Sequence, residues 1–248
     1  MKLRILSYNI HKGFSWNHSR YFLNEMKQFI VSADPDLIFL QEVSGKNDEH
    51  RKDGLLDAQA EYFADSLWGQ FAYAKNAVYD HGHHGNLILS KYPITKWENT
   101  DISTNPLEQR GLLICHIEIP SLKNKKIVAA NVHLDLFHRG RKKQYQHIKN
   151  KFLELNLPSG TPLILGGDFN DWNKKASFVL EDELKMTEIF KNLNSDYART
   201  FPAHWPLLSL DRIYIKNCKG VDARICAGGN SAHFSDHLPL LCEVEIAE

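Results

Sequence analysis

Runs rich in Ile, Val and Leu recur along the chain at strand length, and each is closed by a polar or turn-forming cluster. They predict strands at Leu3–Tyr8, Leu37–Leu40, Phe71–Ala74, Asn86–Leu89, Gly111–Ile119, Ile127–Leu134, Leu163–Leu165, Leu210–Ile215 and Leu238–Ile246. Apolar residues at helical spacing predict helices over Arg20–Ser32, Leu56–Trp68, Arg141–Leu155 and Leu184–Asn192. Gly111–Ile119 and Ile127–Leu134 are joined by the turn-like SLKNK and read as a hairpin, while helices separate several other strands. The mixture predicts mixed sheets covered by helices. No linker-like tract or fixed-period repeat interrupts it, so one domain is expected across residues 1–248.

The polar residues that follow these strands form a second pattern. Asn9 follows LRILSY and Glu42 follows LIFLQ; His133 and Asp135 end IVAANVHLD; Asp168 and Asn170 follow LILGG; Asp211 sits inside LLSLDRIYI; Asp236 and His237 precede LPLLCEV. A single Asn or Glu at a strand end is usually a turn or capping residue. An acid inside an apolar strand is different, because an isolated buried carboxylate is costly and Asp211 needs a partner. Together these ends suggest one convergent site, since open sheets commonly bind ligands at their strands' carboxyl ends. LGGDFNDW fits this reading: two glycines permit a sharp turn or a close approach, and an acid and an amide follow at a fixed point past the strand.

Composition narrows the classes. A chain of 248 residues that is 43% hydrophobic can bury a substantial core. Its 30 basic and 30 acidic residues cancel, which counts mildly against a protein that grips long nucleic acids through their backbones. The local basic run HRGRKKQYQHIKNK carries Tyr145 and Ile148, followed by Phe152 and Leu155, at helical spacing, and reads as an amphipathic helix with solvated cations. Cys115, Cys218, Cys226 and Cys242 form no CxxC pair and read as reduced core thiols. The opening MKLRILSYNI is too interrupted for a secretory signal and no transmembrane run occurs, so a cytoplasmic location is expected. Nothing indicates an obligate protein partner.

The residue types then limit the chemistry. Carboxylate and amide oxygens without a thiolate suit a hard cation, Mg²⁺ or Mn²⁺, with Glu42 and Asp236 supplying charge. Pairing Asp211 with His237 would favour an imidazolium, Asp168 could take a proton from an attacking water, and Asn170 could hold that water or a phosphate oxygen. This set serves in-line hydrolysis with no protein nucleophile.

The ordered segments SYNIH, LQEV, GNLILS, NVHLD, GGDFND, LDRIY and SDHLP, spanning residues 7 to 239, resemble the endonuclease/exonuclease/phosphatase (DNase I-like) superfamily. YNIHKGF, KNAVYDHGHHGN, ARTFPAHWPLLSLDRIY and Arg141-x-x-Gln144 resemble a bacterial subgroup of that superfamily with poorly defined substrates. The resemblance implies an α/β four-layer sandwich, two central mixed β-sheets flanked by helices, with the site at one end. It implies metal binding mainly by Glu42 with Asn9 and Asp236, a water-activating Asp168, phosphate contacts from Asn170 and His133, and Asp211 orienting His237. The implied activity is metal-dependent phosphoester hydrolysis, of a small-molecule or phospholipid phosphate or, alternatively, of DNA by an endonuclease; a fold-retaining binding protein is the non-catalytic reading.

Three further features bear on the substrate. Arg110, just before a strand, could bind a phosphate or simply lie at the surface. His81, His83 and His84 lie close together in a glycine-containing segment without a distant zinc-ligand partner, and are read as a substrate-lining loop. Trp16, Trp172 and Trp205 lie near the motifs, as cleft-lining or packing residues.

Overall fold

The computed structural model describes residues 1–47, 58–79, 82–105, 109–122, 125–227 and 231–247. Its strands are β1 (Lys2–Asn9), β2 (Leu37–Asn47), β3 (Gln70–Tyr79), β4 (Gly82–Ser90), β5 (Ile94–Asp101), β6 (Gly111–Ile119), β7 (Lys125–His133), β8 (Leu163–Asp168), β9 (Thr187–Glu188), β10 (Asp211–Lys216), β11 (Lys219–Ile225) and β12 (Leu240–Glu245). Its helices are α1 (Leu23–Ala33), α2 (Gln59–Ser66), α3 (His138–Glu154), α4 (Ile189–Asn194) and α5 (Ser231–Phe234). The strands form two six-stranded sheets, ordered β11-β12-β1-β2-β4-β3 and β5-β6-β7-β8-β10-β9. Each is mixed, with one parallel pair, β1 with β2 and β7 with β8. No helix among the described residues is long and apolar enough to cross a membrane.

The sheets stack face to face, and the alternation of side chains along each strand sorts the core into layers. Between the sheets lie Leu3, Ile5, Phe39, Ile88, Leu113, Ala129, Ile164 and Ile213. The intervening residues of the first sheet, such as Leu6, Ile38, Leu40 and Leu87, pack outward with residues of α1 and α2, including Met26, Ile30 and Phe63. Those of the second sheet, such as Ile114, Val128, Val132 and Leu165, pack with Tyr145, Ile148 and Phe152 of α3. The result is the expected four-layer α/β sandwich. Burial on both faces explains why the central strands read as near-continuous apolar runs.

The inter-sheet layer changes character towards one end. On β1 the inward series runs Leu3, Ile5, Ser7, Asn9; on β7 it runs Ala129, Asn131, His133; on β8, Ile164, Gly166, Asp168. Apolar side chains give way to neutral polar ones and then to the site. In the middle step, buried amides join the two sheets. Gln41 Nε2 donates to Asn131 Oδ1 (2.8 Å), and Asn131 Nδ2 lies 2.8 Å from Leu40 O and 3.0 Å from Leu87 O. Gly166 permits the same closeness, since a Cβ there would come within 2.5 Å of the Phe39 ring from the opposite sheet. Gly167 adopts φ 139°, and a Cβ would meet Val132 O at 2.0 Å, which accounts for the second glycine of LGGD.

Several elements differ from expectation. β5 and β11 have no counterpart among the predicted strands, because both are sheet-edge strands whose exposed faces carry polar residues, as in ITKWENTD. The helix expected over Leu184–Asn192 is divided: Thr187–Glu188 pair with the free edge of β10, and α4 starts only afterwards, capped by Glu188 Oε2 accepting from Lys191 N (2.7 Å). α2 is shorter than Leu56–Trp68, and the beginning of that expected helix lies outside the described residues.

Removing the amide that joins the sheets takes the Asn131 partner from Gln41 Nε2, Leu40 O and Leu87 O, all buried on the facing sheet. Asn131→Ala is expected to lower the unfolding free energy by about 2–4 kcal/mol, measured by urea denaturation. A loss below about 0.5 kcal/mol would mean that the amides do not hold the sheets together.

Candidate active site at the seam of the two sheets

Topology brings the polar strand ends to one place. Asn9 ends β1, Glu42 lies in β2, and His133 and Asp168 end β7 and β8. β10 runs antiparallel to β8 with Asp211 opposite Asp168, and β12 antiparallel to β1, so Asp211 and the Asp236–His237 segment before β12 arrive at the same end. Asp211 therefore opens its strand rather than lying inside it. Two residues carry local backbone distortion. Glu42 (φ 55°) lies where the β2–β4 register shifts, between Leu40 and Val43, and Asn170 has φ 48°. Bulges and left-handed residues of this kind re-aim side chains beside functional sites. Asn170 is further fixed by its N–H donating to Asp168 Oδ1 (2.9 Å) and its Nδ2 to Leu134 O (3.0 Å).

Asp168 Oδ2 is the centre of the arrangement. Asn9 Nδ2 donates to it at 3.1 Å and also lies 3.3 Å from Glu42 Oε1. His133 Nε2 stands 3.5 Å and His237 Nε2 3.7 Å from the same oxygen. The other ring nitrogen of His237 is 2.8 Å from Asp211 Oδ2, which also accepts a short hydrogen bond from Thr200 Oγ1. Ser235 Oγ lies 2.8 Å from Asn9 O and 3.3 Å from Asp236 Oδ1, so it links the end of β1 to the loop bearing Asp236. Lys12 Nζ approaches Glu42 Oε2 at 3.9 Å, and His11 Nδ1 approaches Asp236 Oδ1 at 3.8 Å. Eight of the nine strand-end residues are thus brought together, while Asp135 instead accepts from Thr104 Oγ1 (2.9 Å) and Asn105 Nδ2 (3.1 Å).

Their proton affinities follow from burial and charge. Burial alone would lower the His237 pKa, but the carboxylates of Asp211 and then Asp168 reverse this and raise it to about 10. Burial pushes Asp168 up to about 6; the Asp211 charge adds to the rise, while the His237 imidazolium and the Asn170 and Asn9 donors oppose it. Burial pushes His133 well below its ordinary value, reinforced by the charges of Arg110, His84 and His237, so its ring is neutral. Burial also acts to raise Glu42, but Lys12, His84, His11 and His237 outweigh it and hold the carboxyl below its usual range. Asp168, Asp211 and His237 each offer one atom within 4.8 Å of the others, a group that could hold a divalent metal ion.

The remaining candidates fall around this centre. Arg110 stands at the entrance of β6, and its charge is the largest influence after burial on His133. His83 and His84 lie in β4 rather than in a loop, and His81 is outside the described residues. His84 sits beside Glu42 electrostatically, with burial holding its pKa near 4. Trp16, Trp172 and Trp205 are exposed rather than packed into the core.

Thr200 and Ser235 escaped the sequence reading, and Arg141, noted there as part of a motif, was given no role at the site. The basic run of α3 is mostly solvated as expected, but Arg141 is fully buried. Its Nη1 donates to Asp135 O (3.0 Å) and Leu136 O (2.6 Å), its Nε lies 4.0 Å from Asp171 Oδ1, and its guanidinium covers the Trp172 ring at 4.4 Å. It thereby joins the segment after His133 to the segment after Asp168. The signal was present, since Arg141 falls on the same helical stripe as Tyr145, Ile148 and Phe152.

In the metal-free protein, the His237 ring followed by NMR titration is expected to keep its proton to about pH 10. Asp211→Asn removes the anion that favours the imidazolium, so the titration midpoint moves to lower pH, by on the order of one unit or more. An unshifted midpoint in a folded Asp211→Asn protein would contradict the pairing.

The profile of the Endonuclease/Exonuclease/phosphatase family matches residues 6–237. The chain is 39% identical over 246 residues to the uncharacterised protein YbhP of Escherichia coli (strain K12), covering 98% of this chain and 96% of YbhP. Among solved structures it resembles the Bacteroides thetaiotaomicron mannosyl-6-phosphatase Bt3783 (TM-score 0.76, 18% identity, covering 98% of this chain and 99% of that one). It also resembles D. rerio TDP2 complexed with a single-strand DNA product (TM-score 0.73, 15% identity, covering 98% and 99%). At such identities the structural likeness speaks for the fold alone. With the seam constellation in place, the profile match over nearly the whole chain and the 39% identity to YbhP make this protein a member of the endonuclease/exonuclease/phosphatase family.

Proposed function

We propose that the chain is a Mg²⁺- or Mn²⁺-dependent phosphoesterase that hydrolyses a phosphodiester or phosphomonoester by in-line attack of water. The observation that carries this reading is the convergence on Asp168 Oδ2 of Asn9, His133 and His237, with His237 tied to Asp211 at 2.8 Å. Asp168, buried and raised to about 6, suits a group that takes a proton from water near neutral pH. Asn170 holds the water or a phosphate oxygen. His237, protonated and oriented by Asp211, donates to a non-bridging phosphoryl oxygen as charge builds there. Neutral His133 offers a further N–H, and Arg110 a cation for a phosphate oxygen.

The carboxylate oxygens of Glu42 and Asp236 fit a hard divalent ion, with no thiolate among the neighbours, and the Asn9 amide beside Glu42 is assigned to the same ion. A bound ion supplies Lewis-acid stabilisation of phosphoryl charge. A His237 ring that carries protons towards two carboxylates has no lone pair for a metal, so Glu42, Asn9 and Asp236 are assigned the ion and His237 the donor role. The balanced net charge of 30 basic and 30 acidic residues favours a compact phosphate ester over long DNA.

Purified protein is expected to hydrolyse phosphate esters in Mg²⁺ or Mn²⁺ and to lose that activity in excess EDTA. Glu42→Ala weakens metal use, so part of its activity returns at higher metal concentration. A screen over bis(p-nitrophenyl) phosphate, p-nitrophenyl phosphate, glycerophospholipids, phosphoinositides and plasmid DNA separates the substrate classes. Full turnover with EDTA in excess would sink the metal-dependent reading, and efficient cleavage of DNA alone would replace it with the nuclease.

A further inference from the structure

Beyond His133, towards the edge strands β3 and β5, the inter-sheet layer opens into a cavity of about 490 Å³ whose walls include Lys75, Asn76, Asn99, Asp101, Ser103 and Arg110. Its interior is built by backbone features. β3 bulges between Lys75 and Ala77, and Asn76 continues the inward series of Ala72 and Ala74. Asn76 is only 8% exposed, and its Oδ1 has no hydrogen-bond partner among the described residues. Gly111 provides the space in front of it: a Cβ there would lie 2.3 Å from Asn76 Oδ1 and 2.5 Å from Asn99 Oδ1. Two side-chain amides therefore converge over a bare stretch of backbone, with one buried acceptor unsatisfied among the described residues.

The position of this cradle ties it to the reaction. Gly111 pairs with Asp101 on one side, and on the other it stands one residue beyond the Leu112–Val132 pair, beside His133. Arg110 lines the cavity and also acts on His133 through its charge. A group seated here is adjacent to a phosphate held at His133 and Asp168. Amides, a hydroxyl and a carboxylate offer closely spaced donors and acceptors, the pattern that neighbouring hydroxyls match. Asp101 is held below the usual carboxylate range by the Ser103 hydroxyl and N–H, so it stays a charged acceptor beside the Lys75 and Arg110 cations. No aromatic ring lines the cavity among the described residues, so it has no stacking platform for a base.

We propose that this cavity is the subsite for the alcohol part of the substrate, and that this part is a polyhydroxylated ring, a sugar or a cyclitol. The assignment rests on the phosphoesterase reading for the chemistry next door, and its test has one arm that does not require turnover. In the first arm, wild type, Asn76→Leu and Gly111→Ala are compared on hexose phosphates and inositol monophosphate against p-nitrophenyl phosphate, with circular dichroism verifying the fold. The ratio of kcat/KM for the hydroxylated esters over the aryl ester is expected to fall about tenfold in each variant, chiefly through KM. In the second arm, saturation-transfer NMR probes free hexoses and inositol on metal-free protein, with binding expected in wild type and loss in Asn76→Leu. Binding that depends on Asn76 in a protein that hydrolyses nothing upholds the subsite and removes only the phosphoesterase reading. No polyol binding, or variants that reduce hydroxylated and aryl esters in equal proportion, would overturn the subsite.

Discussion

The site exists only while the two sheets keep one alignment. Asn9, Glu42, Asp236 and His237 belong to the first sheet or its loops, whereas His133, Asp168, Asn170 and Asp211 belong to the second. The two contacts at its heart, Asn9 with Asp168 and His237 with Asp211, both cross the seam. Apolar packing between sheets is strong but non-directional, so by itself it tolerates sliding. The amides of Gln41 and Asn131 add direction one step below the site, since each must meet a particular partner on the other sheet.

Above that step the constraint becomes one of charge. Asp211 and Asp168 are both almost fully buried, where an uncompensated carboxylate is costly. His237 supplies the compensating charge from between them, and the Coulomb attraction exceeds the cost of burying the ring. Thr200 holds the same Asp211 oxygen from the far side. The protein thus carries a preorganised cationic donor at the centre of the seam. Arg141 extends the arrangement outward by holding the loops that follow β7 and β8 against each other.

Much of this was legible in the chain. The apolar runs located the central strands, and the polar residues at their ends were the residues that meet, because strand identity and strand end are local properties. What was not legible is tertiary. β5 and β11 carry the polar faces of edge strands, and Thr187–Glu188 leave a helical pattern only because β10 offers an unpaired edge. The distortion that aims Glu42 and the bulge that aims Asn76 come from register shifts between strands distant in sequence. The burial of Arg141 contradicts the habit of reading a basic run as solvated, although its place on the apolar stripe of α3 marked it. The period-two passage from apolar to amide to ionisable side chains on β1, β7 and β8 was also present, but its meaning depends on knowing that those faces share one layer.

The seam holds His237 as a protonated donor between two carboxylates, and the proposed function leaves the metal to the oxygens around Glu42. Crystals grown with Mn²⁺ and measured at the manganese absorption edge locate the ion directly. An anomalous peak beside the Glu42 carboxylate is expected, with His237 Nδ1 still hydrogen-bonded to Asp211. A peak at bonding distance from a His237 nitrogen, with the Asp211 contact broken, would contradict this assignment.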